Sequence, residues 1–174
     1  MKKIFYAPTT RFASTNEAIQ YVFEKEYNLK NVVITRNENG KPYLEQDSSH
    51  FFSITHTKDF LFIALSDQNV GIDAELTTRK LDYVPILKKF TTCEREQIQT
   101  TMDFLKFWTI KESIIKWLGG SLALDLQKVS FVNNQAYYKA LPLPVQILLT
   151  SFQNHVISIC SESDFDEVEF FSIV

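Results

Sequence analysis

Two carboxylates stand close together in VGIDAE, Val70 to Glu75. Asp73 and Glu75 are two positions apart, so on a β-strand both side chains leave the same face. Like charges at that spacing repel unless a cation or a shared proton lies between them. A third carboxylate, Glu112, lies in MDFLKFWTIKESIIKWLGG, the strongest helical pattern in the chain, closed by Gly119 and Gly120 where a C-cap glycine belongs. At about 100° per residue, Phe107, Ile110, Ile114, Trp117 and Leu118 form one apolar arc. Thr109, Glu112, Ser113 and Lys116 fall on the opposite side. Glu112 and Lys116 are four apart and stack on successive turns. Taken alone, that pair is explained by an exposed helix ion pair worth a few tenths of a kcal/mol. Lys111 falls inside the apolar arc, where its ammonium needs a path to water, a carboxylate or a bound phosphate. Three carboxylates suit Mg²⁺ or Mn²⁺, which take hard oxygen ligands and leave room for water and a substrate phosphate. With two lysines beside them they form a constellation for phosphate chemistry.

The elements that must position these groups are legible from periodicity. KKIFYAP (Lys2 to Pro8) reads as a strand, and STNEAIQYVFEKEY as a helix with Ser14 as N-cap and Glu17 three residues on. NVVITRNENGKPYLE reads as strand, turn at Asn39-Gly40, and strand. HFFSITH (50–56), FLFIALS (60–66) and VGIDAE (70–75) are three further strands separated by the turn-like TKD and DQN. TTRKLDYVPILKKFTTCEREQIQ is charged and mixed, with a short helix and a loop. After the long helix come KVSFV, AYYKAL, VQILLTSF, HVISICS and EVEFFSIV, all strand-like. Each half reads as a helix followed by several strands. The expectation is therefore an α+β chain built as a pseudo-twofold pair of helix-plus-antiparallel-sheet halves, 1–76 and 77–174, forming one compact unit.

Bulk properties narrow the function classes. The 174 residues are enough for one good core, and 45% hydrophobic content with fifteen Phe and four Gly describes a packed globule. A net charge of −3 offers no basic excess for nucleic acid. The apolar runs are too short to span a bilayer. Lys2 and Lys3 are not followed by the apolar run of a signal peptide. Cys93 and Cys160 imply no disulfide framework. A cytoplasmic protein binding neither nucleic acid nor membrane is expected. His50 and His155 have no motif around them and read as satisfied structural histidines.

Three segments carry a resemblance. GKPY (Gly40 to Tyr43), SITHT (Ser53 to Thr57), and VGIDAE followed by FWTIKESIIKWLGG (Phe107 to Gly120) resemble the elements of the 4′-phosphopantetheinyl transferases of the surfactin (Sfp) type. Trp108, Lys111, Glu112, Ser113 and Lys116 all fall at that family's positions. The resemblance implies transfer of the phosphopantetheine arm of coenzyme A to a serine of an acyl or peptidyl carrier protein, releasing 3′,5′-ADP. It implies that Asp73, Glu75 and Glu112 bind Mg²⁺, with Mn²⁺ the alternative. It implies that Lys116 and Lys111 contact phosphates, that His56 and Thr57 bind a coenzyme A phosphate, and that Gly40, Lys41 and Pro42 hold the adenine end. Glu112 and Lys116 are the expected catalytic pair, Glu112 as base. The family fold, a pseudo-twofold pair of α+β halves, agrees with the two-half reading, and a monomer would suffice. Fewer residues precede Gly40 than is usual in the family, and the basic element that grips the 3′-phosphate is not recognisable. Arg79, Lys80, Lys88 and Lys89 face one acid, Asp82, and form the candidate dock for an acidic carrier. Two rivals are a catalytically degenerate binder of coenzyme A or carrier, and a metal-dependent nuclease. In the nuclease the Glu-x-Lys pair lies on a strand, whereas these lysines flank Glu112 on a helix.

Overall fold

The computed structural model describes residues 2–45, 47–165 and 168–173. The first strand, β1, is Lys2–Pro8, and α1 is Thr15–Tyr27. Ser14 caps α1 by accepting a hydrogen bond from the Glu17 N–H, and Asn28 ends it in the left-handed conformation. A small hairpin, β2 (Ile34–Arg36) and β3 (Pro42–Leu44), leads to β4 (Phe51–His56) and β5 (Phe60–Ser66). Then comes β6 (Val70–Leu76), followed by a 3₁₀ segment (Val84–Lys89), α2 (Thr92–Gln97), α3 (Thr101–Leu118) and α4 (Leu122–Asp125). The remaining strands are β7 (Val129–Val132), β8 (Gln135–Tyr138), β9 (Leu141–Pro142), β10 (Gln146–Phe152), β11 (His155–Ser161) and β12 (Val168–Ser172). No helix among the described residues is long and apolar enough to cross a membrane.

Two sheets dominate, ordered β12-β1-β5-β4 and β10-β11-β6. Each contains the same unit: a first strand, a helix, a small sheet, then two strands of which the last pairs with the first. In one copy these are β1, α1, β2–β3, β4 and β5. In the other they are β6, α3, β7–β8–β9, β10 and β11. The expectation that a half starts with its helix is corrected by the pairing. β6, read from sequence as the last strand of the first half, pairs along its whole length with β11, from Val70–Ser161 to Leu76–His155. β12 departs in the other direction, running parallel to β1 of the first sheet. Periodicity identified both strands, but pairing is a tertiary property that periodicity does not carry.

Burial explains why the pieces stay together. Ala18, Ile19, Val22 and Phe23 of α1 pack on Phe5, Phe52, Ile63 and Leu65 of the first sheet. Ile4, Phe62 and Ala64 meet Ile72, Ala74, Ile157 and Ile159 between the two sheets. Ile110, Ile114 and Ile115 of α3 pack on Val129, Ala136 and Cys160. Each Val, Leu, Ile or Phe side chain among them taken out of water contributes roughly 1.5–3 kcal/mol. The middle of α3 is enclosed on most sides, with Thr109, Lys111 and Ser113 buried as well. That corrects the expected polar face: β6 and β11 lie against it, so of Thr109, Glu112, Ser113 and Lys116 only Glu112 and Lys116 keep access to solvent. Capping-box bonds between Thr100 and Asp103 start α3, and Gly119 at φ 67° ends it as expected.

The close approach of β6 to α3 depends on Gly71. A Cβ there would stand 2.6 Å from the Trp117 nitrogen and nearer still to the Ser113 carbonyl oxygen. Opposite it, Ser113 is small, and its hydroxyl bonds to the Ile110 carbonyl at 2.8 Å and to the Ser158 hydroxyl at 2.9 Å. Gly71→Ala must push strand and helix apart. We expect a loss of about 3 kcal/mol or more in urea unfolding, at the top of the range for overpacking. Unchanged stability would show that the interface yields.

Candidate functional site

Asp73 sits in mid-β6, paired with Ser158, with 3% of its surface exposed. Its Oδ1 accepts hydrogen bonds from the Thr55 hydroxyl at 2.9 Å and the Lys116 ammonium at 2.7 Å. Its Oδ2 is buried without a hydrogen-bond partner. Glu75, two residues on, emerges on the same face and takes both its oxygens to the Arg79 guanidinium, each at 2.6 Å. Glu112 reaches the same point from α3, with the Lys116 ammonium 3.9 Å from its carboxylate. One oxygen from each of Asp73, Glu75 and Glu112 lies within 4.8 Å of the others.

Three carboxylates this close in partly dry surroundings cannot all ionise freely. Burial, with the Asp73 charge adding to it and Lys116 opposing, pushes the Glu112 carboxyl up to about 8. Burial also raises Glu75, against the pull of Arg79. A divalent cation relieves both, and the unpartnered Asp73 Oδ2 is a ready ligand atom. The residues therefore fit Mg²⁺ or Mn²⁺: all hard oxygens, few enough to leave positions for water and phosphate.

The cluster floors a cleft of about 360 Å³ whose walls include Thr15, Arg36, Ile54, Thr55 and His56. A second chamber of about 270 Å³ shares Arg36, Ile54, Glu112 and Lys116, and runs on to Gly40, Pro42, Ser53 and Ser121. Beside His56 a smaller cavity of about 210 Å³ opens against residues 12–15 at the start of α1. A divided cleft of this size accommodates an extended, anionic molecule.

Of the residues singled out from sequence, Asp73, Glu75, Glu112 and Lys116 come together, and His56, Gly40 and Pro42 line the cleft walls. Three do not fit their expected roles. The Lys111 ammonium is fully buried on the other side of α3, 3.2 Å from Glu94 and 4.4 Å from the Phe90 ring centre. Glu94 also accepts from the Thr91 and Phe131 N–H groups, so the pair binds α2, α3 and β7 together. Adjacent helix residues point about 100° apart, which sends Lys111 inward while Glu112 faces the cleft. The Lys41 stem lines the cleft, but its ammonium bonds to Asn69 Oδ1 at 2.7 Å and the Trp117 carbonyl at 3.2 Å. Burial lowers it to about 8, and it serves as a cap on the C-terminal end of α3. The Thr57 hydroxyl turns to His155 Nε2 at 2.9 Å and caps the turn to Phe60. His155 is buried, donates from Nδ1 to the Gln153 carbonyl, and is satisfied. His50 pairs with Asp47 outside the cleft.

The sequence gives no role to Arg36 and contains Thr55 only as part of the SITHT element. Ser53 and Thr55 alternate on one face of β4, where Ser53 accepts from the Ile72 N–H at 3.1 Å and Thr55 grips Asp73. That alternation was a usable signal. Arg36 is fixed by a bond to the Gly40 carbonyl at 2.9 Å, a contact across a turn that spacing does not announce.

A group whose folded pKa is raised contributes stability that is present below its ordinary value and lost as pH climbs through the raised one. Without divalent cation, stability should therefore fall between about pH 4.5 and 8 as Glu112 ionises in place. Glu112→Gln should remove that part of the slope and be the more stable protein at pH 8.5, by on the order of 1–3 kcal/mol. Parallel melting profiles of the two proteins across this range would contradict it.

The family model of the 4′-phosphopantetheinyl transferase superfamily matches residues 69–160, from the start of β6 to the end of β11 and just over half of the chain. The chain is similar to the 4′-phosphopantetheinyl transferase gsp of Aneurinibacillus migulanus, 28% identical over 144 residues that cover 76% of this chain and 59% of that protein. It is similar to the 4′-phosphopantetheinyl transferase Sfp of Bacillus subtilis, 27% identical over 135 residues, with 72% and 59% covered. It is also similar to the human L-aminoadipate-semialdehyde dehydrogenase-phosphopantetheinyl transferase, 33% identical over 117 residues, with 56% and 38% covered. The chain thus spans less than two thirds of the length of these curated relatives.

Proposed function

The chain belongs to the 4′-phosphopantetheinyl transferase superfamily, and on that premise we propose that it moves the 4′-phosphopantetheine arm of coenzyme A onto a serine of an apo carrier protein. The observation that carries this reading is the cluster of Asp73, Glu75 and Glu112 oxygens within 4.8 Å, with the Lys116 ammonium beside it at the floor of a divided cleft.

Asp73, Glu75 and Glu112 would hold Mg²⁺ or Mn²⁺, which supplies charge to offset the pyrophosphate oxygens. The chain's own cations do the rest. Lys116 faces the phosphates and offsets charge on the departing group. Arg36 and His56, which line the same cleft, offer further donors for phosphate oxygens. The backbone around Gly40 and Pro42 forms the far chamber, suited to the adenine end. The carrier serine oxygen attacks the β-phosphorus, a new P–O bond forms, and the bond from that phosphorus to the bridging oxygen breaks. The electron pair leaves with 3′,5′-ADP, and Glu112 takes the serine proton. Such a transfer relies mainly on positioning and electrostatic complementarity.

Intact-protein mass spectrometry of an apo carrier incubated with the chain, coenzyme A and Mg²⁺ tests this. A gain of one phosphopantetheinyl group, lost with EDTA and with Asp73→Ala, is expected. Coenzyme A binding with no gain on several carriers would overturn it in favour of a non-catalytic binder.

The carrier would approach the segment after β6, where Lys80 and Lys88 are exposed and Lys89 is half-buried. Reversing Lys88 and Lys89 to Glu should raise KM for the carrier several-fold and leave KM for coenzyme A unchanged. Equal carrier kinetics would remove this surface from the account.

A further inference from the structure

The three carboxylates of the cluster are not equally well anchored. Asp73 is short, sits within a paired strand and is gripped by Thr55. Glu112 rises from the enclosed middle of a long helix, between the buried Lys111 and Ser113. Glu75 has a longer side chain, stands near the end of β6, and needs something outside the strand to aim it. Arg79 meets that need. We propose that Arg79 is a positioning residue of the metal centre, holding the Glu75 carboxylate towards Asp73 and Glu112. This rests on the metal-centre reading given above.

The chain after β6 is built to deliver that guanidinium. Thr77 is tied to the β10–β11 turn twice, its N–H and its hydroxyl both donating to the Asn154 carbonyl at 2.9 Å. The Arg79 N–H then closes a turn onto the Leu76 carbonyl at 2.9 Å. The turn folds the side chain back over the strand end, where it meets both Glu75 oxygens at 2.6 Å. The Glu75 side chain, which lines the cleft, keeps 14% of its surface exposed and that of Arg79 47%, so the guanidinium holds the carboxylate from its solvent side.

Holding is distinct from blocking. An ionised carboxylate offers about four lone-pair sites, and two hydrogen bonds leave the others open. With Arg79 in place, a Glu75 oxygen already lies within 4.8 Å of the Asp73 and Glu112 oxygens. The guanidinium also offsets the Glu75 charge, which lets the cluster stay assembled before a cation arrives. This separates Arg79 from Lys80, Lys88 and Lys89, among which it stood as a docking residue: its charge is committed to Glu75.

The test uses Mn²⁺ alone, titrated into the full chain and followed by electron paramagnetic resonance, with no coenzyme A or carrier. Wild type should bind, and Asp73→Asn should lose binding. Arg79→Gln should weaken Mn²⁺ affinity about 10–100-fold, the usual effect of removing a partner of a ligating group. Its melting temperature should stay close to wild type, because the side chain is half exposed. Arg79→Lys, which keeps one charged donor, should recover part of the affinity. If Arg79→Gln binds as well as wild type, the positioning role is wrong. If it binds more tightly, Arg79 competes with the metal and the proposal is overturned. If wild type binds no better than Asp73→Asn, the metal-centre reading itself fails, and this proposal with it.

Discussion

Everything at the site depends on one steric fact: a strand and a helix touch backbone to backbone where residue 71 has no side chain. β6 carries two carboxylates and α3 carries the third. Their oxygens reach one another only because Gly71 lies against the Ser113 carbonyl and Ser158 meets the Ser113 hydroxyl. A side chain at residue 71 would force the two elements apart, and with them the carboxylates they carry. The surrounding structure reinforces the contact. Lys41 and Asn69 bond to the Trp117 carbonyl, and Asn37 and Asn39 to that of Gly119. The hairpin that forms the far wall of the cleft is thereby fastened to the end of the helix that supplies Glu112 and Lys116.

The contact creates an electrostatic problem that the neighbouring residues are arranged to contain. Three carboxylates meet two cations, Lys116 and Arg79, and one hydroxyl, Thr55. The remaining imbalance appears as a Glu112 proton held to about 8 and an Asp73 oxygen with no hydrogen-bond partner. Most buried polar atoms in a native fold find a partner. Of the four buried side-chain atoms without one among the described residues, the Asp73 oxygen is the one that belongs to a carboxylate. Its residue is grouped with two other carboxylates, as a cation site requires. The buried Lys111–Glu94 pair is the contrasting case, with donors and acceptors matched and no access to the cleft.

Much of this was legible in the sequence, for identifiable reasons. Strand period placed Asp73 and Glu75 on one face, and helix period placed Glu112 above Lys116. Ser14, Gly119 and the Asn39-Gly40 turn marked element ends through local backbone chemistry. Local rules failed where the partner was distant. Lys111 was plainly anomalous in an apolar arc, but its counter-ion, Glu94, lies 17 residues away in a segment without clear periodicity. Lys41 and Thr57 sat in suggestive segments while their side chains satisfied Trp117 and His155. β6 was recognised as a strand, but its pairing with β11 depends on a contact that only the folded chain makes.

The central claim is that Asp73, Glu75 and Glu112 form one cation site. Crystals of the chain grown with Mn²⁺, measured near the manganese absorption edge, test it most directly. The account predicts an anomalous peak within bonding distance of an oxygen from each of the three carboxylates, with the Lys116 ammonium still at the cluster's edge. A well-ordered site without such a peak, or a peak bound to other residues alone, would contradict it.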